Sequence, residues 1–361
     1  MSETRAALRS ARRVVVKLGS RLLATRSGLI ASMAEQVAEQ SASGRQCLLV
    51  SSGAIALGCQ QLGYTARPKD MPRLQAAAAV GQSELMRRYA QALASHGRVA
   101  AQVLLTHSDL ASRRRLTNAQ QALAALFEAG AIPIVNENDT VSTDEIAFGD
   151  NDQLASMVVP LVQADLLLLL TDVAGVLDDR GERIAVMATD RQIADLPNSN
   201  AQGSGGILSK LSAANAARHS GASVVIASAD EPSVIGRVLA GEDLGTLFVP
   251  HDNKLRARQH WIAYTLKPRG SVMVNEGAAH AIREGTRSLL PVGVVGVSGQ
   301  FSRGDAVRLI APDGSELARG LARMGLPEIA RNAGKTSAEL KSHLGELDAV
   351  VVHKDDLVLS N

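Results

Sequence analysis

The sequence predicts an α/β protein, a three-layer αβα sandwich around a mostly parallel central sheet, followed by a small β-rich domain. Three observations lead there. Short aliphatic runs alternate with Ala-rich segments of helical spacing, the pattern of successive βαβ units. Aromatic residues make up only 2% of the chain, so the core is built from Ala, Leu, Val and Ile. Such a core suits strands buried on both faces beneath small-residue helices. After about Gly241 the texture changes to short β-like runs punctuated by Gly277, Gly285, Gly293, Gly299, Gly304 and Gly314. A length of 361 residues fits two domains. The expected division is a catalytic unit at 1–260, a linker at 261–270 and a β-rich domain at 271–361.

Taken in order, Arg13 to Leu18 reads as a first strand ending at Gly19-Ser20, with Lys17 interrupting its apolar run. Ile30 to Ser43 has helical spacing and Gly44 as its C-cap. Gln46 to Ser51 is a second strand, running into Ser52-Gly53-Ala54 and a small-residue helix. Leu74 to Ser95 is a long helix carrying Gly81-Gln82, and Val99 to Leu105 is a third strand ending at Thr106. Arg113-Arg114-Arg115 precedes a helix expected at Asn118 to Ala129. Ala131 to Val135 is a fourth strand. Leu154 to Ala164 is helical, Leu166 to Leu170 is a strand ending at Thr171-Asp172, and Ser223 to Ala227 is a last strand. In the β-rich part, Asp313-Gly314 signals a hairpin.

The polar residues fall at particular places. Lys17, Ser52, Thr106, Asn136 and Thr171-Asp172 each stand at or just past the C-terminal end of an apolar strand. In an open parallel sheet these ends converge on the ligand crevice. Ser52 at a helix start presents either an anion site made of backbone N–H groups or an ordinary serine cap. Gly203 to Leu211, with three glycines, hydroxyls and Lys210 ahead of a helix, has the ingredients of a phosphate cradle without the Walker spacing. The acidic stretch Asn136 to Asp152 crowds Glu137, Asp139, Asp144, Glu145, Asp150 and Asp152 together. It is either a solvated loop or a cluster around a positive partner: a metal, a lysine or an ammonium group.

The totals exclude several classes. Hydrophobic content of 46% against 20% charged provides a sizeable core, and a net charge of +2 demands neither a nucleic-acid nor a membrane partner. Two scattered cysteines, Cys47 and Cys59, make no disulfide framework or zinc pattern, and the eight histidines show no metal-ligand spacing. The N-terminus has no signal-like apolar core and no apolar run spans a bilayer, so a cytoplasmic location is expected.

Val-Val-Lys-Leu-Gly-Ser, Ser-Ser-Gly-Ala-Ile-Ala-Leu-Gly, Asn-Glu-Asn-Asp-Thr-Val, Gly-Asp-Asn-Asp, Leu-Leu-Thr-Asp and Gly-Ser-Gly-Gly-Ile-Leu-Ser-Lys-Leu occur in this order. In that order they resemble the amino acid kinase family, in its glutamate 5-kinase branch. The tail, with Val-Asn-Glu-Gly-Ala and Phe-Ser-Arg-Gly-Asp, resembles a PUA pseudobarrel domain. The resemblance implies ATP-dependent phosphorylation of the γ-carboxylate of L-glutamate, the first step of proline biosynthesis. It implies catalytic roles for Lys17, Lys210 and Asp152. ATP would be held by Lys17, Gly19, Ser20, Thr171, Asp172, Ser204, Gly205, Gly206, Ile207, Leu208, Ser209 and Lys210. Glutamate would be held by Ser52, Gly53, Ala54, Asn136, Asp139, Asp150 and Asn151. Mg²⁺ would bridge phosphates, with no residue assigned as a metal ligand. Proline inhibition, a homo-oligomer (tetramer or dimer) and hand-over to glutamyl-phosphate reductase are further implications. RNA binding by the tail is unsupported, because it is neither strongly basic nor rich in aromatics.

Overall fold

The computed structural model describes residues 3–141, 151–189, 192–193, 206–252, 254–284, 287–336, 339–340 and 350–360. The chain forms two compact units, Met1–Lys254 and Leu255–Asn361. Residues 255–260 and the stretch 261–270, expected as the end of the catalytic unit and a linker, fall within the second unit.

Among the described residues, the first unit has an eight-stranded sheet in the order β3-β4-β2-β1-β5-β7-β8-β6. Its strands are β1 Arg13–Leu18, β2 Gln46–Val50, β3 Ala100–Leu105, β4 Ile132–Glu137, β5 Leu166–Thr171, β6 Val186–Met187, β7 Ser223–Ser228 and β8 Thr246–Phe248. From β3 to β7 every pairing is parallel. β8 reverses against β7 and carries β6 with it. The expected mostly parallel sheet is therefore present. The short β6 and β8 were not foreseen, since two- and three-residue strands show no period.

The helices are α1 Glu3–Ala6, α2 Ser20–Thr25, α3 Leu29–Ala42, α4 Ala54–Gln61, α5 Met71–Ala94, α6 His107–Ala111, α7 Arg113–Glu128, α8 Asn151–Val162, α9 Gly206–His219 and α10 Val234–Leu239. Two core clusters define the layers. On one face Val14, Val16 and Leu18 of β1 pack with residues of α3, α5 and α10. On the other, Val15 packs with residues of α7, α8 and α9. Alternate residues of a strand point to opposite faces, so the apolar run of β1 fills both. α7 begins at Arg113, earlier than expected, and the three arginines form its exposed first turn. α8 begins at Asn151, three residues earlier than expected, which brings Asn151 and Asp152 onto a helix.

Among its described residues, the second unit has a five-stranded sheet in the order β10-β9-β11-β12-β13. Its elements are α11 Ala257–His260, β9 Gly270–Val274, α12 Glu276–Arg283, β10 Val294–Gly299, β11 Ala306–Ile310, β12 Glu316–Ala322, α13 Leu326–Asn332 and β13 Val352–Leu359. The expected hairpin joins β11 to β12. Gly314 takes φ +84° there, and the Asp313 carboxylate accepts from Ser315 N at 2.9 Å. Ile262 is buried against Ala306, Leu321 and Val358, which ties the stretch after α11 to this sheet.

Candidate active site at the carboxyl edge of the sheet

β1 lies between β2 and β5, and the strand order reverses direction around it. The C-terminal ends of strands flanking such a switch point border a crevice. Lys17 stands at that end of β1. It shares the parity of Val15, so its side chain leaves the sheet on the face covered by α8 and α9. There its ammonium lies 2.5 Å from Oδ1 of Asp152. Lys17 and Asp152 are 4% and 1% exposed, so this is a buried contact rather than a solvated one.

Asp152 sits in the first turn of α8, where a carboxylate also complements the helix dipole. Its second oxygen, Oδ2, accepts from Lys210 Nζ at 2.9 Å and from Ser209 Oγ at 3.1 Å. One carboxylate thus holds two ammonium groups, from β1 and from the start of α9. Burial by itself would raise the Asp152 pKa. Lys17 and Lys210 more than offset that and hold it below the usual carboxylate range.

A second, uncharged cluster adjoins this one. From the end of β2 the chain passes through Ser51 and Ser52 to Gly53, which caps α4 with φ +96°, a conformation open to glycine at little cost. α4 is pressed against α5. A Cβ on Gly58 would lie 1.7 Å from the Ala77 carbonyl oxygen, and one on Gly81 would lie 1.8 Å from that of Ala54. Only glycines permit this approach, and it fixes the N-terminus of α4. The preceding residue of α8, Asn151, turns the other way from Asp152. Its Nδ2 donates to Ser51 O at 2.5 Å, Asn136 Oδ1 at 2.8 Å and Ser52 Oγ at 3.0 Å. Asn136 Nδ2 donates to Gln82 Oε1 at 2.8 Å. Ser51 Oγ shares a hydrogen bond of 2.9 Å with the buried Tyr89 hydroxyl. Asp139 is half-buried beyond Asn136. Burial pushes its carboxyl up to about 6, against a smaller opposing pull from Arg67.

The amino acid kinase family model matches residues 12–228, the unit that carries this site. The chain belongs to the amino acid kinase family. A PUA domain model matches residues 270–344. The chain is 46% identical to a glutamate 5-kinase of Thioalkalivibrio sulfidiphilus, covering 99% of this chain and all of that protein. It is 45% identical to a glutamate 5-kinase of Myxococcus xanthus, covering 99% of each chain. An N-acetylglutamate synthase structure from Neisseria gonorrhoeae shares the fold, with a TM-score of 0.52 and 19% identity over 69% of this chain and 62% of that one.

In this amino acid kinase the remaining expected residues are distributed as follows. Gly19 caps α2 and Ser20 begins it; a Cβ on Gly19 would lie 3.8 Å from Lys17 Nζ. Thr171 ends β5 and donates to Asp172 Oδ1 at 3.1 Å. Burial would raise the Asp172 pKa, but hydrogen bonds and nearby Arg21 and Lys210 bring it below the usual range. Gly206, Ile207, Leu208, Ser209 and Lys210 form the first turn of α9, with Ile207 packed on the core and Leu208 exposed. Asp150, Ser204 and Gly205 lie outside the described residues, as do Asp144 and Glu145. Gln82, Tyr89, Ser51, Arg67 and Arg21 escaped the sequence reading as site residues. Only Gln82 had a signal, its place beside Gly81 in a small-residue helix.

Proposed function

We propose that this chain transfers the γ-phosphoryl group of ATP to the γ-carboxylate of L-glutamate, giving L-glutamyl 5-phosphate and ADP, the first step of proline biosynthesis. The observation that carries this reading is the pair of lysines, Lys17 and Lys210, gripping opposite oxygens of Asp152. Phosphoryl transfer to a carboxylate brings two anions together, so positioning and charge neutralisation supply most of the catalysis. A carboxylate oxygen attacks the γ-phosphorus, and the bond to the β–γ bridging oxygen breaks. No general base is required, because the acceptor is already ionised at neutral pH. Lys17 and Lys210 face the equatorial and leaving oxygens as charge moves toward ADP. Asp152 keeps the two ammonium groups at a set spacing before the nucleotide arrives.

Gly19, Ser20, Thr171, Asp172 and the first turn of α9 are the proposed nucleotide contacts. Ser204 and Gly205 are assigned there from the family resemblance alone. Ser52, Gly53, Ala54, Asn136, Asp139 and Asn151 are the proposed glutamate contacts, with Asp150 again by resemblance. Both oxygens of Asp152 are engaged by lysines, which leaves it ill-suited to a metal. Mg²⁺ would enter with the nucleotide rather than on Asp152, and would supply further neutralisation of phosphate charge. Proline is the proposed feedback inhibitor, acting from the acidic stretch after Asn136. A homo-oligomer, a cytoplasmic site of action and hand-over of the acyl phosphate to a reductase complete the proposal. Among the described residues no helix is long and apolar enough to cross a membrane.

A coupled ADP-release assay with glutamate, N-acetylglutamate and no acceptor tests the reading. Glutamate-dependent ADP formation, reduced by proline, is expected. Turnover with N-acetylglutamate and none with glutamate would overturn it.

A further inference from the structure

We propose that Gln82 is a positioning residue that answers the amide chain with an acceptor and so holds Asn136, and through it Asn151, in place on the amino-acid side of the site. This rests on the glutamate kinase reading above and names how that site recognises its substrate. The observation is a chain of side-chain amides. Gln82 Nε2 donates to Gln102 Oε1 at 3.1 Å, Asn136 Nδ2 donates to Gln82 Oε1 at 2.8 Å, and Asn151 Nδ2 donates to Asn136 Oδ1 at 2.8 Å. Asn136 and Asn151 are 2% and 5% exposed, Gln82 is half-buried, and Gln102 is exposed at the sheet edge.

Amide oxygen and nitrogen are ordinarily assigned from such networks, and here two backbone groups force the assignment. Asn136 Oδ1 also accepts from the backbone N–H of Glu137 at 2.9 Å, so it must be the oxygen. Asn151 Nδ2 faces the Ser51 carbonyl, so it must be the nitrogen. It follows that Asn136 presents Nδ2 to Gln82, which must answer with an acceptor. Two consequences reach the substrate. Asn151 spends its donors on the protein, so the one polar side-chain atom it can offer a ligand is an acceptor, Oδ1. Ser52 Oγ receives from Asn151, whose nitrogen has no lone pair, so the Ser52 hydroxyl proton is directed elsewhere. The site therefore accepts from an ammonium at Asn151 and donates to a carboxylate at Ser52. That is the polarity of a free α-amino acid, with Asp139 beside it for the ammonium.

Substitutions at position 82 separate polarity from packing and from charge. Gln82→Ala leaves a buried donor of Asn136 unanswered and should raise the glutamate KM about tenfold. The KM for ATP and kcat should stay near wild type. Gln82→Lys sets donor against donor and should raise the glutamate KM further, on the order of a hundredfold. Gln82→Glu keeps the acceptor, while the exposed Gln102 can turn its amide to donate, so glutamate KM should recover most of what Gln82→Ala loses. Simple attraction to an anionic substrate predicts the reverse order, with lysine the better of the two. Thermal unfolding of each variant reports whether the helix is intact. The expected ranking, with glutamate binding alone affected, supports the proposal. Equal effects of Glu and Lys, the reverse order, or a flat series overturns it, and Q82E against Q82A decides even if Q82K does not fold. A wild-type protein that forms no ADP with glutamate defeats the kinase reading instead, and that outcome is visible before any variant is made.

Discussion

Asn151 and Asp152 are neighbours on the first turn of one helix, yet they organise two unlike regions. Asp152 gathers ionic partners: two ammonium groups on one carboxylate. Asn151 gathers neutral ones: a carbonyl, a hydroxyl and an amide oxygen. Both clusters are buried, so each must satisfy its polar groups internally. The difference follows from their proposed tasks. A site for migrating phosphoryl charge needs fixed cations, which a buried counter-ion can hold in register. A site for a zwitterion needs donors and acceptors in a set order, and neutral amides provide that without extra charge to bury.

The sharpest way to break this contrast is to make the ionic region resemble the neutral one. Asp152→Asn keeps the shape but leaves two ammonium groups without their counter-ion. Breaking such a buried arrangement is strongly destabilising, and kcat should fall on the order of a thousandfold, with a lower unfolding temperature. Turnover within a few fold of wild type in the ADP assay would show that Asp152 does not organise the lysines. Lys210→Ala should cost about a hundredfold in kcat with little change in glutamate KM, because it acts on transferred charge. A change confined to glutamate KM would move Lys210 to the other region.

Asp139 is where the two regions blur, a carboxylate on the neutral side. Its folded pKa of about 6 lies above the ordinary aspartate value of 3.8. The folded state therefore binds the extra proton between about pH 4 and 6. This group favours folding more below that window, and the contribution is lost as pH rises through 6. Binding an ammonium needs the ionised form, so the effect on substrate runs the other way. Glutamate KM should rise about tenfold for each unit of pH below 6, and Asp139→Asn should remove that slope while raising KM throughout. A KM independent of pH from 5 to 8 in wild type would sink the assignment. The smallest expected effect tests the scaffold. Gly81→Ala places a methyl 1.8 Å from the Ala54 carbonyl oxygen and must separate α4 from α5. It should cost about 1–3 kcal/mol by denaturant unfolding and raise glutamate KM a few fold, leaving ATP KM alone. An unchanged midpoint would mean that the helices have room the distances deny.

Much was legible from local pattern. The five aliphatic strands that carry Lys17, Ser52, Thr106, Asn136 and Thr171 announce themselves, because a buried parallel strand must be apolar throughout and any polar residue at its end stands out. Lys17 could be assigned to the crevice for that reason. The tail's hairpin was legible from Asp313-Gly314, because its turn needs a positive φ. The helix start at Asn151 was not, since the polar run before it hides the boundary. Its consequence was large, because it converts two members of an acidic stretch into two faces of one helical turn.

The sequence by itself determined the layers and the edge on which chemistry could occur. These depend on periodicity and on residue type, which are local properties. Only the tertiary structure decided which groups meet. Asp152 finds Lys210 across 58 positions, and Asn136 finds Gln82 across 54. It also decided the direction of each hydrogen bond in the amide chain. An asparagine or glutamine can donate or accept equally well, so nothing in its identity fixes which end faces the ligand. That is settled by two backbone groups, the Glu137 N–H and the Ser51 carbonyl, brought to the chain by strands β4 and β2.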